Sequence, residues 1–324
     1  MKAVWLTEFG GPQVLVARDT PDPEPGPGQV LVDVAYAGIT FIETRFRATG
    51  RGPFGSPGPA APLIPGNGVG GVVAAVGTGV PASLVGTRVV SATGGTGGYA
   101  SQVAVDAAGL FPVPDGLGLD TATALLADGR TATMLVRTAA PKPGERVLVE
   151  AAAGGVGSLL VQLAKAAGAY VVAAAGGAGK LDLARELGAD ETVDYREPGW
   201  ASGVDGGVDG GVDIVFDGVG GEISRAAFGL LSRGGRMLSF GLASGTWSPV
   251  TPEEAAAHGV TLLRAAPTPA QLRADTESAL AAAAAGRLRA VVGGRFPLDR
   301  AADAHAAIES RATVGKTLLE ISPR

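Results

Sequence analysis

The stretch Glu150–Leu160, EAAAGGVGSLL, sets three glycines between two apolar runs. Upstream, Arg146–Val149 (RVLV) is short and β-branched, which predicts a buried strand. Downstream, Ser158–Gly168 (SLLVQLAKAAG) predicts a helix with Leu159, Leu163 and Ala166 on one face. Glycine destabilises the interior of either element. Something must therefore come close to the backbone at this junction. Ala153, Gly154, Gly155, Val156 and Gly157 suit a turn that a pyrophosphate can approach, its charge held by orphan N–H groups and the positive end of the helix dipole. A tight strand-to-helix turn with no ligand would use the same glycines, so the surroundings must decide.

Those surroundings alternate. From about residue 121 the pattern runs TATALLADGRTATMLVRTA as helix, then ERVLVEAA, AYVVAAAG, ETVDY, VDIVFDGV and RMLSFGLA as strands, with the helices GKLDLARELG and EISRAAFGLLS between some of them. Alternation of this kind implies a doubly wound parallel sheet covered on both faces, an α/β domain of the Rossmann type. With it, the glycine junction predicts dinucleotide binding. Residues 1–120 hold short β runs (KAVWL, QVLVDVAYAG, GVVAAVG, TRVVSAT, YASQVAV) with turn signals and little helical period, and predict a mostly-β domain. After about 258 come a strand (Thr261–Arg264), an Ala-rich helix (Pro269–Gly286), a second helix (Leu298–Arg311) and a last strand (Lys316–Ile321).

Whole-chain properties narrow the function. The chain has 324 residues, 46% of them apolar and 18% charged, with a net charge of −5. It is long enough for two domains, carries no basic footprint for nucleic acid, and has no apolar run of about 18 residues to span a membrane. The expectation is a cytoplasmic protein. Cys is absent, and His258 and His305 have no ligand-like partner at close spacing, so no metal site is expected. Of three Gly/Pro-rich clusters, Pro21–Gly28 joins two β runs. Gly203–Asp213 (GVDGGVDGGVD) is a tandem repeat that predicts a loop without function. Ala48–Gly66 is too broken for regular structure.

The end of the second strand separates the two nicotinamide dinucleotides. An NAD site wants an acid about 20 residues past the glycines. Val171–Lys180 (VVAAAGGAGK) contains none; the first acid is Asp182, and the first charge is Lys180. Lys180 could neutralise a 2′-phosphate, with nothing nearby expected to repel one. A solvated surface lysine would look the same, so the missing acid is the better argument for NADPH.

The chain resembles the zinc-independent, zeta-crystallin-like quinone oxidoreductases of the medium-chain dehydrogenase/reductase superfamily. Matching pieces run along nearly its whole length: MKAVWLTEFGGPQVL, AGITFIETRFR, PGNGVGGVV, GYAS, ALLADGRTA, VLVEAAAGGVGSLLVQLAKAAGA, KLDLARELGADETVDYRE, FDGVGG, SFGLASG and ESRATVGKTLL. The resemblance implies a GroES-like mostly-β domain from both chain ends (1–120 and 258–324), a Rossmann domain at 121–257, and a nicotinamide in the cleft between them. It implies that Lys180, Tyr195 and Arg311 meet the 2′-phosphate, where Gly177 replaces the usual small hydroxyl residue. Gly129 and Thr131 fall at the nicotinamide end, and Phe240, Gly241 and Ser244 line the cofactor groove. By pattern alone Tyr195 would be an edge-strand aromatic and Phe240 a core residue.

The departures lie on the substrate side. Thr40 stands where the family often has Asn, Arg45 where it has Tyr, and Gly68 where relatives have Glu. The polar groups expected near the acceptor are Thr40, Arg45, Asn67 and Asp128. A quinone or enone takes hydride at a conjugated position and needs only a hydrogen-bond donor for the charge that develops on oxygen; Thr40 and Arg45 are the candidates. Phe54, in the Ala48–Gly66 segment, is the expected stacking partner for a flat acceptor, that segment acting as a lid or as a plain surface loop. Three functions stay open: an NADPH-dependent quinone or enone reductase, an enoyl-thioester or polyketide-intermediate enoyl reductase, and a non-catalytic NADPH-binding structural or sensor protein. A homodimer through the edge strand at Thr261–Ala265 is expected.

Overall fold

The computed structural model describes residues 1–52, 55–204 and 211–321; Phe54 and residues 205–210 of the tandem repeat lie outside the described residues. The first elements are β1 (Lys2–Leu6), β2 (Leu15–Asp19), β3 (Gln29–Ile39), α1 (Phe41–Thr49), β4 (Gly68–Val76), β5 (Arg88–Ala92), β6 (Gln102–Asp106), β7 (Phe111–Pro112) and α2 (Leu119–Ala139). They are followed by β8 (Arg146–Glu150), α3 (Gly155–Ala166), β9 (Tyr170–Ala175), α4 (Ala178–Glu186), β10 (Glu191–Asp194), β11 (Val212–Asp217), α5 (Gly221–Phe228) and β12 (Leu231–Ser239). The chain closes with α6 (Pro252–His258), β13 (Thr261–Leu262), α7 (Pro269–Ala284), β14 (Val292–Pro297), α8 (Ala301–Glu309) and β15 (Lys316–Glu320).

Two compact units divide the chain: Met1–Ala127 with Leu280–Arg324, and Asp128–Ala279. The boundaries thus fall inside α2 and α7, later than the 120 and 258 expected. β13 pairs with β12, and Arg137 of α2 forms a two-pronged ion pair with Asp275 of α7 at 2.9 and 3.1 Å. These contacts hold residues 259–279 to the second unit.

The second unit is a six-stranded parallel sheet in the order β10-β9-β8-β11-β12-β13. Counted from β8 this is 3-2-1-4-5-6, the Rossmann order, with its reversal between β8 and β11. Val147, Leu148, Val149, Val171, Val172, Ile214 and Phe216 are all fully buried, as strands sandwiched between helices must be. Helix α3 matches its expected face only in part. It begins at Gly155 and buries Leu159 as expected, but Gly157, Leu160, Val161 and Ala164 are buried with it, Leu163 is half-buried and Ala166 is exposed. Close seating of Gly157 on the preceding turn sets that rotation.

The first unit is mostly β: a seven-stranded sheet built on the path β14-β15-β3-β4-β5-β7, with β6 also pairing β3, and a separate β1–β2 ribbon. Its core gathers Val4, Leu6, Val30, Val32, Val69, Val89, Tyr99 and Leu319. Helix α1 had no visible apolar period. It is fixed at its ends instead, by a Thr40–Glu43 capping box and by Gly50 in the left-handed region at φ +70. The helix expected over EISRAAFGLLS stops at Phe228, because Leu231 already pairs with Val212 at the start of β12.

Beneath α1 lies a buried polar cluster. Arg47 is 1% exposed and pairs with Glu309 and the Gly10 carbonyl. The Tyr99 hydroxyl lies 2.9 Å from His305 Nε2. Burial, helped by the Arg47 charge, pushes the His305 imidazole from 6.5 down to about 3. The unfolded chain therefore takes up a proton between those values that the folded chain refuses. Stability is expected to be full above pH 6.5 and to fall by ~1.4 kcal/mol per pH unit below it. Urea unfolding at pH 7 and pH 5 measures the drop, and His305→Gln should remove this component of it.

Candidate active site

The glycine turn sits at the carboxyl end of β8, beside the strand-order reversal where open α/β sheets take ligands. Gly154 caps α3 in an extended conformation, and the first turn of α3 carries no acid. Its first amides have no acceptor within the helix and face an incoming anion. Gly157 and Gly154 do different work. A Cβ at Gly157 would stand 2.2 Å from the Ala151 carbonyl oxygen and 3.0 Å from Ala152 Cα. That glycine lets the helix press on the turn. A Cβ at Gly154 would meet a single atom, the Ala151 oxygen at 3.1 Å, so its missing side chain leaves room beside the backbone. The cradle fits a dinucleotide pyrophosphate.

At the ends of β9 and β10, Gly176 and Gly177 adjoin Tyr195 and Arg196. Gly177 lies at φ +100, and its absent Cβ would stand 3.1 Å from an Arg196 guanidinium nitrogen. The Gly177 amide donates to Asp194 Oδ2 at 2.9 Å, and Arg196 donates to the same carboxylate at 2.7 Å. The Arg196 hydrogen bonds hold Asp194 down at about 2. Lys180 is half-buried in the first turn of α4. An acid thus does stand near this corner, contrary to expectation, with its charge met by Arg196. Sequence spacing from the glycines could not find it, because Asp194 arrives from the third strand rather than the second. The pairing in Asp194-Tyr195-Arg196 was the available signal.

Phe240, Gly241 and Ser244 are drawn onto the loop after β11. The Phe240 amide donates to the Asp217 carbonyl at 2.9 Å, and the Ser244 amide to the Val219 carbonyl at 2.8 Å. A Cβ at Gly241 would lie 2.4 Å from the Gly218 oxygen. Phe240 is half-buried rather than a core residue. Asp128 and Gly129 are buried on α2, and Thr131 is half-buried one turn on.

Thr40, Arg45, Asn67 and Arg311 belong to the first unit. Glu43, which sequence reading passed over, draws two of them together. It accepts from the Thr40 hydroxyl at 2.7 Å and from the Asn67 amide at 2.9 Å. Burial pushes its carboxyl up, opposed by those hydrogen bonds and by Lys316. The Thr40 hydroxyl proton is therefore committed to Glu43. The half-buried Arg45 guanidinium, by contrast, makes no hydrogen bond or ion pair among the described residues. Arg311 lies at φ +61 with its guanidinium 4.6 Å from the Phe41 ring centre.

No group of three or more His, Cys, Asp or Glu that could hold a metal ion occurs among the described residues, and no described helix is long and apolar enough to cross a membrane. Residues 155–284 match the Zinc-binding dehydrogenase family model, and residues 26–115 match the Alcohol dehydrogenase GroES-like domain. A quinone oxidoreductase of Pseudomonas aeruginosa is 35% identical over 98% of this chain and 99% of its own. A 2-haloacrylate reductase of a Burkholderia species is 32% identical over 98% of both. The structure of Escherichia coli quinone oxidoreductase complexed with NADPH superposes with a TM-score of 0.89 at 31% identity, covering 99% of this chain and 100% of that one.

The two glycines should separate on substitution. Gly157→Ala is expected to cost about 1–3 kcal/mol through overpacking against Ala151. Gly154→Ala, with one neighbour at 3.1 Å, should change stability by less than about 0.5 kcal/mol. Urea midpoints of the two variants check this.

Proposed function

The chain belongs to the quinone oxidoreductase family of the medium-chain dehydrogenase/reductase superfamily, and from that premise we propose that it reduces a quinone or an α,β-unsaturated carbonyl compound without a metal. It is an NADPH-dependent oxidoreductase. The observation that carries the reading is the second unit's carboxyl edge. A glycine turn opens α3 at the strand reversal, and the next strand ends without an acid, at two glycines backed by Arg196.

NADPH supplies the hydride; the chain supplies grip and orientation. Ala153, Gly154, Gly155, Val156 and Gly157 hold the pyrophosphate, and Phe240, Gly241 and Ser244 line the groove. Lys180 and Tyr195 meet the 2′-phosphate. Arg196 joins them in the space that the missing Gly177 side chain leaves, and it cancels Asp194, which would otherwise repel the phosphate. Gly129 and Thr131 meet the nicotinamide end.

The acceptor is met by residues of the first unit, Thr40, Arg45 and Asn67. Arg45 is the donor for the acceptor oxygen, since its guanidinium is uncommitted while the Thr40 proton belongs to Glu43. A charged donor there stabilises the enolate or hydroquinone oxygen as charge develops. The relative named a 2-haloacrylate reductase supports an electron-poor conjugated alkene beside a quinone. The enzyme is cytoplasmic and dimerises through the edge of the six-stranded sheet at β13, whose outer side has no strand partner among the described residues.

Two measurements test this reading. Lys180→Ala and Arg196→Ala should each raise the KM for NADPH about tenfold, the loss of ~1.4 kcal/mol, and leave the KM for NADH nearly unchanged. A wild type that prefers NADH would sink the assignment. Steady-state rates with quinones and enones should exceed those with crotonyl and decenoyl thioesters. Arg45→Met should lower kcat/KM for the acceptor by about 100-fold while the NADPH Kd stays fixed. Unchanged acceptor kinetics in that variant would remove Arg45 from the mechanism.

A further inference from the structure

β8 and β11 flank the reversal of strand order, and each ends in an acid: Glu150 and Asp217, both 0% exposed. Their surroundings are unequal. Asp217 accepts from the Val219 amide at 3.1 Å and the Gly220 amide at 2.7 Å with one oxygen. With the other it accepts from the Ser224 hydroxyl at 2.8 Å and the Ser239 hydroxyl at 2.7 Å. Four donors suit an anion. Glu150 Oε2 accepts from the Val219 amide at 3.1 Å, and Oε1 meets no donor. Asp217 is the charged group acting on Glu150. The other elements around the pair present Ala174 from β9, Ser224 from α5, Ser239 from β12 and Ser248 before α6, none of them titratable. Burial and the Asp217 charge hold the Glu150 carboxyl well above the usual range.

We propose that Glu150 and Asp217 are positioning residues, and that a proton on Glu150 keeps the cofactor groove in the shape that takes NADPH. A neutral Glu150 sets no second charge beside its neighbour. Both acids grip the Val219 amide. The Val219 carbonyl accepts from Ser244, and the Gly218 carbonyl from Ala243 at 3.3 Å. Hydrogen bonds therefore run from the pair to the loop that carries Phe240, Gly241 and Ser244. On its other side Glu150 leads directly into Ala151, at φ +48, and so into the glycine turn. Loss of the proton sets two anions against each other at the junction of both cofactor loops.

The sign follows from linkage. The folded, cofactor-ready state holds the proton, so NADPH affinity falls as pH rises and Glu150 ionises, by at most about tenfold per pH unit. Glu150→Gln keeps a donor at the same place and cannot ionise. The inference rests on this edge being the NADPH groove, and the test separates the two. NADPH Kd is measured from pH 6 to 10 for wild type, Glu150→Gln and Gly154→Val, with urea midpoints for each. The ratio of the wild-type Kd to the Glu150→Gln Kd should climb with pH, a ratio from which the titration of the cofactor and of other groups cancels. A ratio that stays constant overturns the proton on Glu150. Gly154→Val should lose NADPH at every pH; normal binding by that variant overturns the groove instead. Hydrogen exchange at Val219 and Gly220 in the wild type, corrected for its intrinsic pH dependence, needs no variant. Protection should fall over the range where affinity falls, and constant protection counts against the proposal.

Discussion

The seating of α3 against the end of β8 is the contact on which the second unit turns. It brings a helix so near a strand-to-helix turn that a methyl group at Gly157 would lie 2.2 Å from a carbonyl oxygen. From it follow the rotation of α3 that buries Leu160, Val161 and Ala164, and the outward aim of the first amides. The room at Gly154 follows as well. Parallel strands have to be covered on both faces, and the glycine turn is where that cover meets a stretch of open backbone.

What was legible in the chain was whatever repeats. The βαβ alternation predicted a doubly wound parallel sheet, and the glycine junction predicted dinucleotide binding, because both are local patterns of apolar residues and turn formers. Helix α1 escaped because caps rather than an apolar stripe define it, and its Arg47 faces inward. The face of α3 was legible only at Leu159, because periodicity alone does not say which stripe of a largely apolar helix meets the sheet. The division between units escaped because an ion pair 138 residues apart, Arg137 with Asp275, holds α7 where it is. Asp194, Arg196, Glu43 and the Glu150–Asp217 pair stayed hidden for one reason. Each matters through a neighbour from a distant part of the chain.

The polar residues of both units share a pattern. Carboxylates are used less as chemical groups than as holders of backbone: Glu43 takes the amides of Thr40 and Asn67, Asp194 takes that of Gly177, and Asp217 takes those of Val219 and Gly220. In a chain so rich in glycine, loops lack side chains to pack, and a buried acid that collects N–H groups fixes them at low entropic cost. The cationic side chains are left to meet anions.

Ser239 gives the buried acids a property that their full burial conceals. Its hydroxyl donates to Asp217, yet the residue itself is exposed at the end of β12. A hydroxyl is donor and acceptor at once, so a proton can pass between water and the pair by reorientation of one side chain, without opening the sheet. Ionisation at this point of the fold then has a hydroxyl path to water that leaves the strands paired.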